Sequence, residues 1–368
     1  MHICFLANAA SVHTQRWARY FAYRGYRVTV VSFQRGEIEG IPVFHLPAIC
    51  HRFHLDILLN LAKIRRLVRE INPDILHAHY ATSYGLSGAL TGKHPYVITA
   101  WGSDVLIMPE RSWVYRQIVR FAMRRADLVT SMASHMTNHL IDRNLSSANK
   151  IITLPFGTDT DLFNPNIRKN KHDAGSPVII SNRRLDQGLD VDLFIKAVPE
   201  VVKLFPDALF MVASDGTERL KIEKLALKLG VNTHMEFTGQ ISSPDMTRLL
   251  SNADVFVSTS PSDGNNISLC EAMACGVFPV ATDIPANRDW VTSGHNGLLF
   301  PSGDYKNLSK CIIDALRKPE WRESVISYNY NIICEKGSWE KNMAVMINEY
   351  DKLISRYANL GNTVRIHE

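Results

Sequence analysis

Two carboxylates, Asp263 and Glu271, stand eight positions apart in a segment built to bind something. Before them runs Ala253-Asp254-Val255-Phe256-Val257-Ser258, an apolar β-branched stretch that reads as a buried parallel strand. After them Val277-Phe278-Pro279-Val280-Ala281 reads as the next strand. Between lie turn residues and a short helix from about Ile267 to Cys275. Ligands of open α/β sheets bind at the carboxyl ends of strands, which is where this loop falls. A diphosphate needs backbone N–H donors and a helix N-terminus, and Gly264, Asn265, Asn266, Ile267 and Ser268 supply both. A ribose needs a carboxylate that accepts from two hydroxyls, a place for Glu271 about one turn into the helix. Asp263 at the mouth is then placed for sugar hydroxyls. The combined chemistry is that of a nucleotide sugar. A loop followed by an amphipathic core helix, with Glu271 solvated, satisfies the same spacing.

The rest of the chain must hold this segment. Its 368 residues suffice for two domains of ordinary size. With 46% hydrophobic and 21% charged residues it is globular rather than disordered. No apolar run approaches the roughly 20 residues of a membrane span. The N-terminal Met1 to Asn8 run lacks a basic start and reads as a first strand, not a leader. The six cysteines show no Cys-x-x-Cys spacing, and reduced buried thiols in a cytoplasmic protein are expected. Residues 1–165 carry 18 Lys/Arg against 11 Asp/Glu, a net +7, which leaves −2 for the remainder. A basic first half points to an anionic membrane surface or a phosphorylated acceptor, and less to nucleic acid.

Strand and helix patterns alternate in that half. Strands are expected at His2 to Ala7, Tyr26 to Ser32, Ile41 to Leu46, Asp74 to Ala78, Tyr96 to Ala100, Ala126 to Ser131 and Lys150 to Leu154. Helices are expected over Val12 to Tyr23, with Ser11 as N-cap, and over Leu55 to Glu70 and Ser134 to Arg143. Polar Asp159 to Asp173 reads as an interdomain linker. The rhythm restarts with strands at Val178 to Ser181, Leu209 to Ala213 and Met235 to Thr238. A final helix pattern covers Trp339 to Tyr357. The domains expected are 1–165, 166–338 and a C-terminal helix segment 339–368.

Asp263-x7-Glu271 followed by Ala-Met-Ala-Cys-Gly resembles the acidic signature of the retaining glycosyltransferases of family 4. The resemblance extends over nearly the whole chain, including Pro155 to Phe163. It implies the GT-B fold: two Rossmann-like doubly wound α/β domains facing a cleft, the last helix crossing back to the first domain. It implies transfer of a hexosyl or N-acetylhexosaminyl group from a UDP- or GDP-sugar, with retention, to a glycan or lipid-linked acceptor. Cell-surface polysaccharide, lipopolysaccharide or capsule biosynthesis is the setting, in the cytoplasm or peripherally at the inner membrane face. No metal and no cofactor beyond the donor is expected.

By match, Glu271 falls on the ribose, Asp263 on the donor sugar, Arg184 on the diphosphate and the 265–268 backbone on phosphate oxygens. Thr238-Gly239-Gln240-Ile241 resembles the loop whose backbone meets the base. The family has Glu where Asp263 stands, Phe-Gly where Asn265 and Asn266 stand, and a Lys at Leu189; Arg183 or Asn182 is the candidate to compensate. Trp101 replaces a His that contacts the donor sugar, which makes His79 and Asp104 candidates for that contact. Ser11 follows the first strand in a loop where the family has Gly-Gly, and offers hydroxyl and backbone donors, with His13, Arg16 and Trp17 toward the cleft entrance or the acceptor. His77-x-His79 is a formal metal pair without a third ligand. The segment from Trp113 to Arg125, basic and aromatic, reads either as a membrane-surface helix or as an ordinary domain helix. A nucleotide-sugar epimerase and a non-catalytic binding subunit of a glycan-assembly complex are the alternatives.

Overall fold

A computed structural model describes residues 1–47, 53–170 and 175–366. Cys50 and part of the expected linker lie outside them. The chain divides into one unit of residues 1–154 and 343–368 and another of residues 155–342.

In the first unit the strands are β1 (His2–Leu6), β2 (Arg27–Ser32), β3 (Val43–His45), β4 (Ile75–His79), β5 (Tyr96–Thr99), β6 (Leu128–Ser131) and β7 (Ile151–Thr153). They form one parallel sheet in the order β3-β2-β1-β4-β5-β6-β7. β1 and β4 pair with Ile3 opposite Ile75 and Leu6 opposite Ala78. Both strands are buried along their whole length, so they read as unbroken apolar runs apart from the histidines. The order reverses between β1 and β4, and the carboxyl ends of these two strands define the switch point where a doubly wound sheet binds ligands. Helix Val12–Tyr23 covers β1 through Trp17 and Phe21, whose rings meet Phe5.

The second unit carries β8 (Val178–Ser181), β9 (Leu209–Val212), β10 (Met235–Phe237), β11 (Val255–Ser258), β12 (Phe278–Thr282) and β13 (Leu298–Phe300), parallel in the order β10-β9-β8-β11-β12-β13. Here the order reverses between β8 and β11. One core, around Phe194, Phe210 and Phe300, packs on one face of the sheet. The other, around Phe256, Leu269 and Met273, packs on the opposite face and takes in Phe163.

Phe163 corrects the expected linker. Its side chain is buried with Leu162 and Ile167 against the second core. The Asp159 carboxylate accepts from the Asp161 and Leu162 N–H groups, and Arg168 donates to the Ala253 carbonyl at 2.7 Å. The polar composition reflects turns and a 3-10 stretch, Pro165–Asn170, laid on a core. The last helix, Trp339–Ile366, begins in the second unit and belongs to the first from Met343 on. In the first unit Tyr350 is fully buried against Phe21 and His77, and the Tyr357 hydroxyl donates to Asp127 at 2.7 Å.

Candidate active site

In the second unit, helix Ile267–Ala274 follows the β11 loop and is fixed at both ends. Asn266 is its N-cap: its side-chain oxygen accepts from the Leu269 N–H at 3.2 Å. Its amide donates to Ser258 Oγ and Asn287 Oδ1, which ties the helix start to β11 and to the turn after β12. At the other end Gly276 takes φ 75°, the Val277 N–H returns to the Ala272 carbonyl and the Gly276 N–H to the Met273 carbonyl. This Schellman closure explains why the Ala-Met-Ala-Cys run ends in glycine. Leu269, Cys270, Ala272, Met273 and Ala274 are buried. Ile267, Ser268 and Glu271 share the remaining, half-buried face at i/i+3/i+4 spacing. Glu271 is thus carried on the accessible side of the helix one turn from its N-terminus.

The structure departs from expectation at the arginines. Arg184 is the outward one: 73% of its side chain is exposed and its Nε donates to Asp186 at 2.7 Å. Arg183 is the arginine that joins the 260–266 loop. Only 15% of its side chain is exposed, and it reaches Ser260 Oγ (3.0 Å), Asn266 Oδ1 (3.3 Å) and Asp263 Oδ2 (2.8 Å). Successive side chains leaving a strand point to opposite sides, so one position decides which arginine enters. Asp263 also accepts from the Asn265 N–H through Oδ1 at 3.2 Å. Oδ1 is thus hydrogen-bonded, whereas Oδ2 meets the guanidinium as an ion pair and is a buried atom without a hydrogen-bond partner among the described residues. Leu189, at the missing-lysine position, packs on the first of the two cores, and its carbonyl accepts from Thr259 Oγ1. Gly239 takes φ 73°, followed by exposed Gln240 and half-buried Ile241. Ser181 Oγ, Asn182 Oδ1 and Asn265 Nδ2 are buried polar atoms without a partner among the described residues. They lie at the carboxyl end of β8 and in the loop after β11, and buried polar atoms of this kind call for a partner such as water, an ion or a ligand.

In the first unit the β1–β4 switch point opens into a cavity of about 470 Å3, lined among others by Asn8, Ser11, His79, Tyr80, Trp101 and Tyr115. The loop after β1 does without glycine because side chains hold it. Asn8 Oδ1 accepts from the Ala10 N–H and Ser32 Oγ from the Ala9 N–H, both at 3.0 Å. Gly36 lies so close that a Cβ there would come within 2.6 Å of Ala10 N.

His77 and His79 face the same side of β4, their rings 4.8 Å apart, and have opposite fates. His77 is saturated, with Nδ1 bonded to Tyr350 Oη and Nε2 to Thr99 Oγ1 at 2.7 Å. His79 is 3% exposed and neither ring nitrogen has a hydrogen-bond partner among the described residues. Its ring is boxed by Phe5, Trp17 and Trp101. Burial, helped by the His13 charge, pushes its pKa down to about 3, and burial beside Arg16 pushes His13 to about 4. A neutral imidazole has one donor and one acceptor nitrogen, the complement of a sugar hydroxyl.

Asp104 is fully buried and does not line the cavity. Its carboxylate accepts from the N–H groups of Ala81 (2.7 Å), Trp101 (3.0 Å) and Gly102 (2.9 Å). Burial raises its pKa against these bonds, which lower it. It braces the loop of Trp101 to that of Tyr80, which sits at φ 82°. Sequence reasoning passed over Tyr80, Tyr115 and helix Tyr84–Thr91, whose Gly-rich, weakly periodic composition resembles a loop. Among the described residues no group of three His, Cys, Asp or Glu is arranged for a metal. No helix among them is long and apolar enough to cross a membrane.

Comparison with known proteins agrees with this architecture. Residues 2–133 match the family described as Glycosyl transferase 4-like, and residues 163–332 match Glycosyl transferases group 1. An uncharacterized glycosyltransferase, MJ1178, of Methanocaldococcus jannaschii is 26% identical over 330 residues, 89% of each chain. The GDP-mannose-dependent alpha-(1-6)-phosphatidylinositol monomannoside mannosyltransferase of Mycolicibacterium smegmatis is 26% identical over 278 residues, 70% of this chain and 71% of its own. Among solved structures, Anabaena Alr3699/HepE in complex with UDP superposes with a TM-score of 0.79 at 20% identity, covering 96% of this chain and all of that one. Sucrose-phosphate synthase from Thermosynechococcus elongatus gives 0.79 at 18% identity, covering 97% of this chain and all of its own. Two parallel-sheet Rossmann-like domains in series define a GT-B architecture. The chain belongs to the GT-B glycosyltransferases, with a glycosyltransferase 4-like domain followed by a group 1 domain.

Proposed function

We propose that this protein is a retaining glycosyltransferase that moves a hexosyl or N-acetylhexosaminyl group from a UDP- or GDP-sugar to a glycan or lipid-linked acceptor. The observation that carries this reading is the placement of the 263–271 segment. It lies at the β8–β11 switch point, where one helix offers its N-terminus and, one turn later, Glu271. That helix end and an arginine of the 183–184 pair meet the diphosphate, while Glu271 accepts from the ribose hydroxyls. The bond between the anomeric carbon and the leaving phosphate oxygen breaks. The acceptor oxygen bonds that carbon on the same face, and its proton passes to the leaving phosphate. Positive charge aimed at that phosphate lowers the barrier, which leaves no task that requires a metal.

In the first unit, the neutral nitrogens of His79 and the ring of Trp101 suit an uncharged sugar. The acceptor is read as membrane-borne, in cell-surface polysaccharide assembly at the inner face. Trp113, Val114 and Phe121 stand exposed on helix Trp113–Arg125, whose last turn carries exposed Arg124 and Arg125.

The test is thermal stabilisation by a panel of nucleotides and nucleotide sugars, with and without EDTA, repeated with Glu271→Ala. Donor binding raises the midpoint by mass action. One nucleoside diphosphate should stabilise the protein and the variant should lose the shift. No shift with any member would sink the reading. Proton NMR of the product then reports whether the anomeric configuration is retained.

A further inference from the structure

The first unit carries a second hollow at the amino ends of β6 and β7, on the edge of the sheet opposite the β1–β4 switch point. Its volume is about 260 Å3, and it is lined among others by Arg124, Asn144, Ser146, Ser147 and Lys150. No carboxylate lines it. Two ties to helix Trp113–Arg125 hold the 144–150 loop. Arg120 Nε donates to the Asn144 carbonyl at 3.2 Å, and Lys150 Nζ donates to the carbonyls of Arg124 (3.1 Å) and Ala126 (2.8 Å). Lys150 thereby covers the negative end of that helix, which occupies two of the three N–H donors of an ammonium. Asn144 sits at φ 53° because helix Ser134–Asp142 closes there, with the Asn144 N–H on the Ile141 carbonyl and the Leu145 N–H on the Leu140 carbonyl. Helix closure thus explains Lys150 and Asn144, but it does not explain Ser146. Ser146 is 7% exposed, and its Oγ is a buried atom without a hydrogen-bond partner among the described residues. A buried hydroxyl of this kind calls for a partner, and the hollow that it lines has room for one.

We infer that this hollow takes a terminal phosphate group, a phosphomonoester, between Arg124, Lys150 and the hydroxyl of Ser146. The ligand class follows from the donor set. A guanidinium, an ammonium and hydroxyls with no competing carboxylate suit a multiply charged acceptor group, and a phosphomonoester offers three acceptor oxygens. The ties to Arg120 and Lys150 form the loop before the ligand arrives, so little freedom is lost on binding. A lipid headgroup is the source that the surroundings favour. Phe121 stands three positions before exposed Arg124, on the same face of the helix, and is 42% exposed. An apolar ring beside a cationic hollow lets the phosphate enter while the ring meets the lipid chains. A soluble phosphomonoester shares the phosphate chemistry and lacks the chains. The hollow lies on the edge opposite the switch point, so its ligand orients the protein and meets no reacting group. The inference is therefore independent of the donor-site reading above.

The experiment is cosedimentation of the full chain with phosphatidylcholine vesicles containing phosphatidate, a phosphomonoester, or phosphatidylglycerol, a phosphodiester, at matched surface charge. A phosphorus-31 NMR titration with glycerol 3-phosphate, without vesicles, reads the soluble source. Wild type should prefer phosphatidate vesicles at least about fivefold, the range of one or two charge-assisted bonds. Ser146→Ala should cut that preference about threefold, the range of one neutral hydrogen bond. Arg124→Gln and Lys150→Met should abolish it. Lys150→Met also uncovers a helix end, so its fold is checked by circular dichroism; if it does not fold, Ser146→Ala and Arg124→Gln decide. Ser146→Ala removes a buried hydroxyl without a partner, so a merely structural serine predicts an equal or higher melting temperature and an unchanged lipid preference. Arg66→Gln is the control. It removes a 77% exposed cation of helix Phe53–Ile71 and should lower binding to both anionic vesicles alike. Glycerol 3-phosphate binding that weakens in Ser146→Ala, with no preference between the vesicles, supports the slot and assigns it to a soluble phosphate. A preference that survives in the Ser146 and Arg124 variants overturns the inference. So does a wild type that neither prefers phosphatidate nor binds glycerol 3-phosphate.

Discussion

His77 Nδ1 and Tyr350 Oη are hydrogen-bonded across 273 positions of sequence, 2.5 Å apart in the buried interior of the first unit. The bond joins the central strand β4 to the last helix, and His77 passes it on through Thr99 Oγ1 to Thr130 Oγ1. Tyr350→Phe keeps the ring packing but leaves a buried imidazole nitrogen unpaired. The expected cost is about 1–3 kcal/mol. Tyr350→Ala adds a cavity and should cost roughly 3–5 kcal/mol. Urea unfolding followed by near-UV circular dichroism checks the ranking; equal losses in the two variants would contradict it.

Acid should destabilise the protein earlier than its carboxylates require. His79 and His13 are held neutral, with folded pKa values of about 3 and about 4, below the ordinary 6.5. The unfolded chain binds protons from about pH 6.5 downward while these folded groups do not. Their contribution is thus complete above pH 6.5 and is lost as pH falls toward the folded values. By pH 5 that loss is roughly 2 kcal/mol for each group. His79→Gln should flatten the slope of unfolding free energy between pH 7 and 5, measured by urea titration at each pH. An unchanged slope would refute the assignment.

Gly276→Ala should be worse than Gly230→Ala. Both glycines have positive φ, 75° and 68°, so both substitutions carry a left-handed backbone cost of about 1–2 kcal/mol. Around Gly230 a Cβ meets nothing within 4 Å, whereas at Gly276 it stands 3.0 Å from Ile326 Cγ2 and 3.2 Å from Arg168 Cδ. The difference in melting temperature between the two variants isolates the packing penalty.

Asn266→Ala removes the helix cap and leaves Asn287, Ser258 and Arg183 each short of one partner. A combined loss of roughly 2–4 kcal/mol is expected. Asn266→Asp keeps the cap acceptor but not the two donated bonds, and should fall between wild type and alanine in denaturant unfolding.

Membrane docking is read from cosedimentation with vesicles. Arg124→Ala/Arg125→Ala should lower partitioning onto vesicles with anionic lipid about tenfold to thirtyfold, at about 1 kcal/mol per charge. Trp113→Ala should lower it on the same vesicles. Equal partitioning onto neutral and anionic vesicles would argue against the basic face.

Local chemistry was enough for much of this. The span Val12–Tyr23 follows from apolar spacing and the closing Gly25, although Ser11 at the N-cap position makes no side-chain cap bond, and the buried strands Val178–Ser181 and Val255–Ser258 follow from β-branched runs. The loop-helix segment from Asp263 to Gly276 was legible because caps and turn residues act within a few positions. What required the tertiary structure acts over long separations. Strand order is set by pairing between segments far apart in sequence, so no local pattern could place the switch points at β1–β4 and β8–β11. Arg183 and Arg184 are the same residue type side by side, and only the approach of Ser260, Asp263 and Asn266 separates them. His77 and His79 likewise share a strand face. One is silenced by a tyrosine late in the sequence, and the other has both nitrogens unspent among the described residues, beside a cavity. Composition chose which groups were present; three-dimensional proximity decided which of them remain available to a ligand.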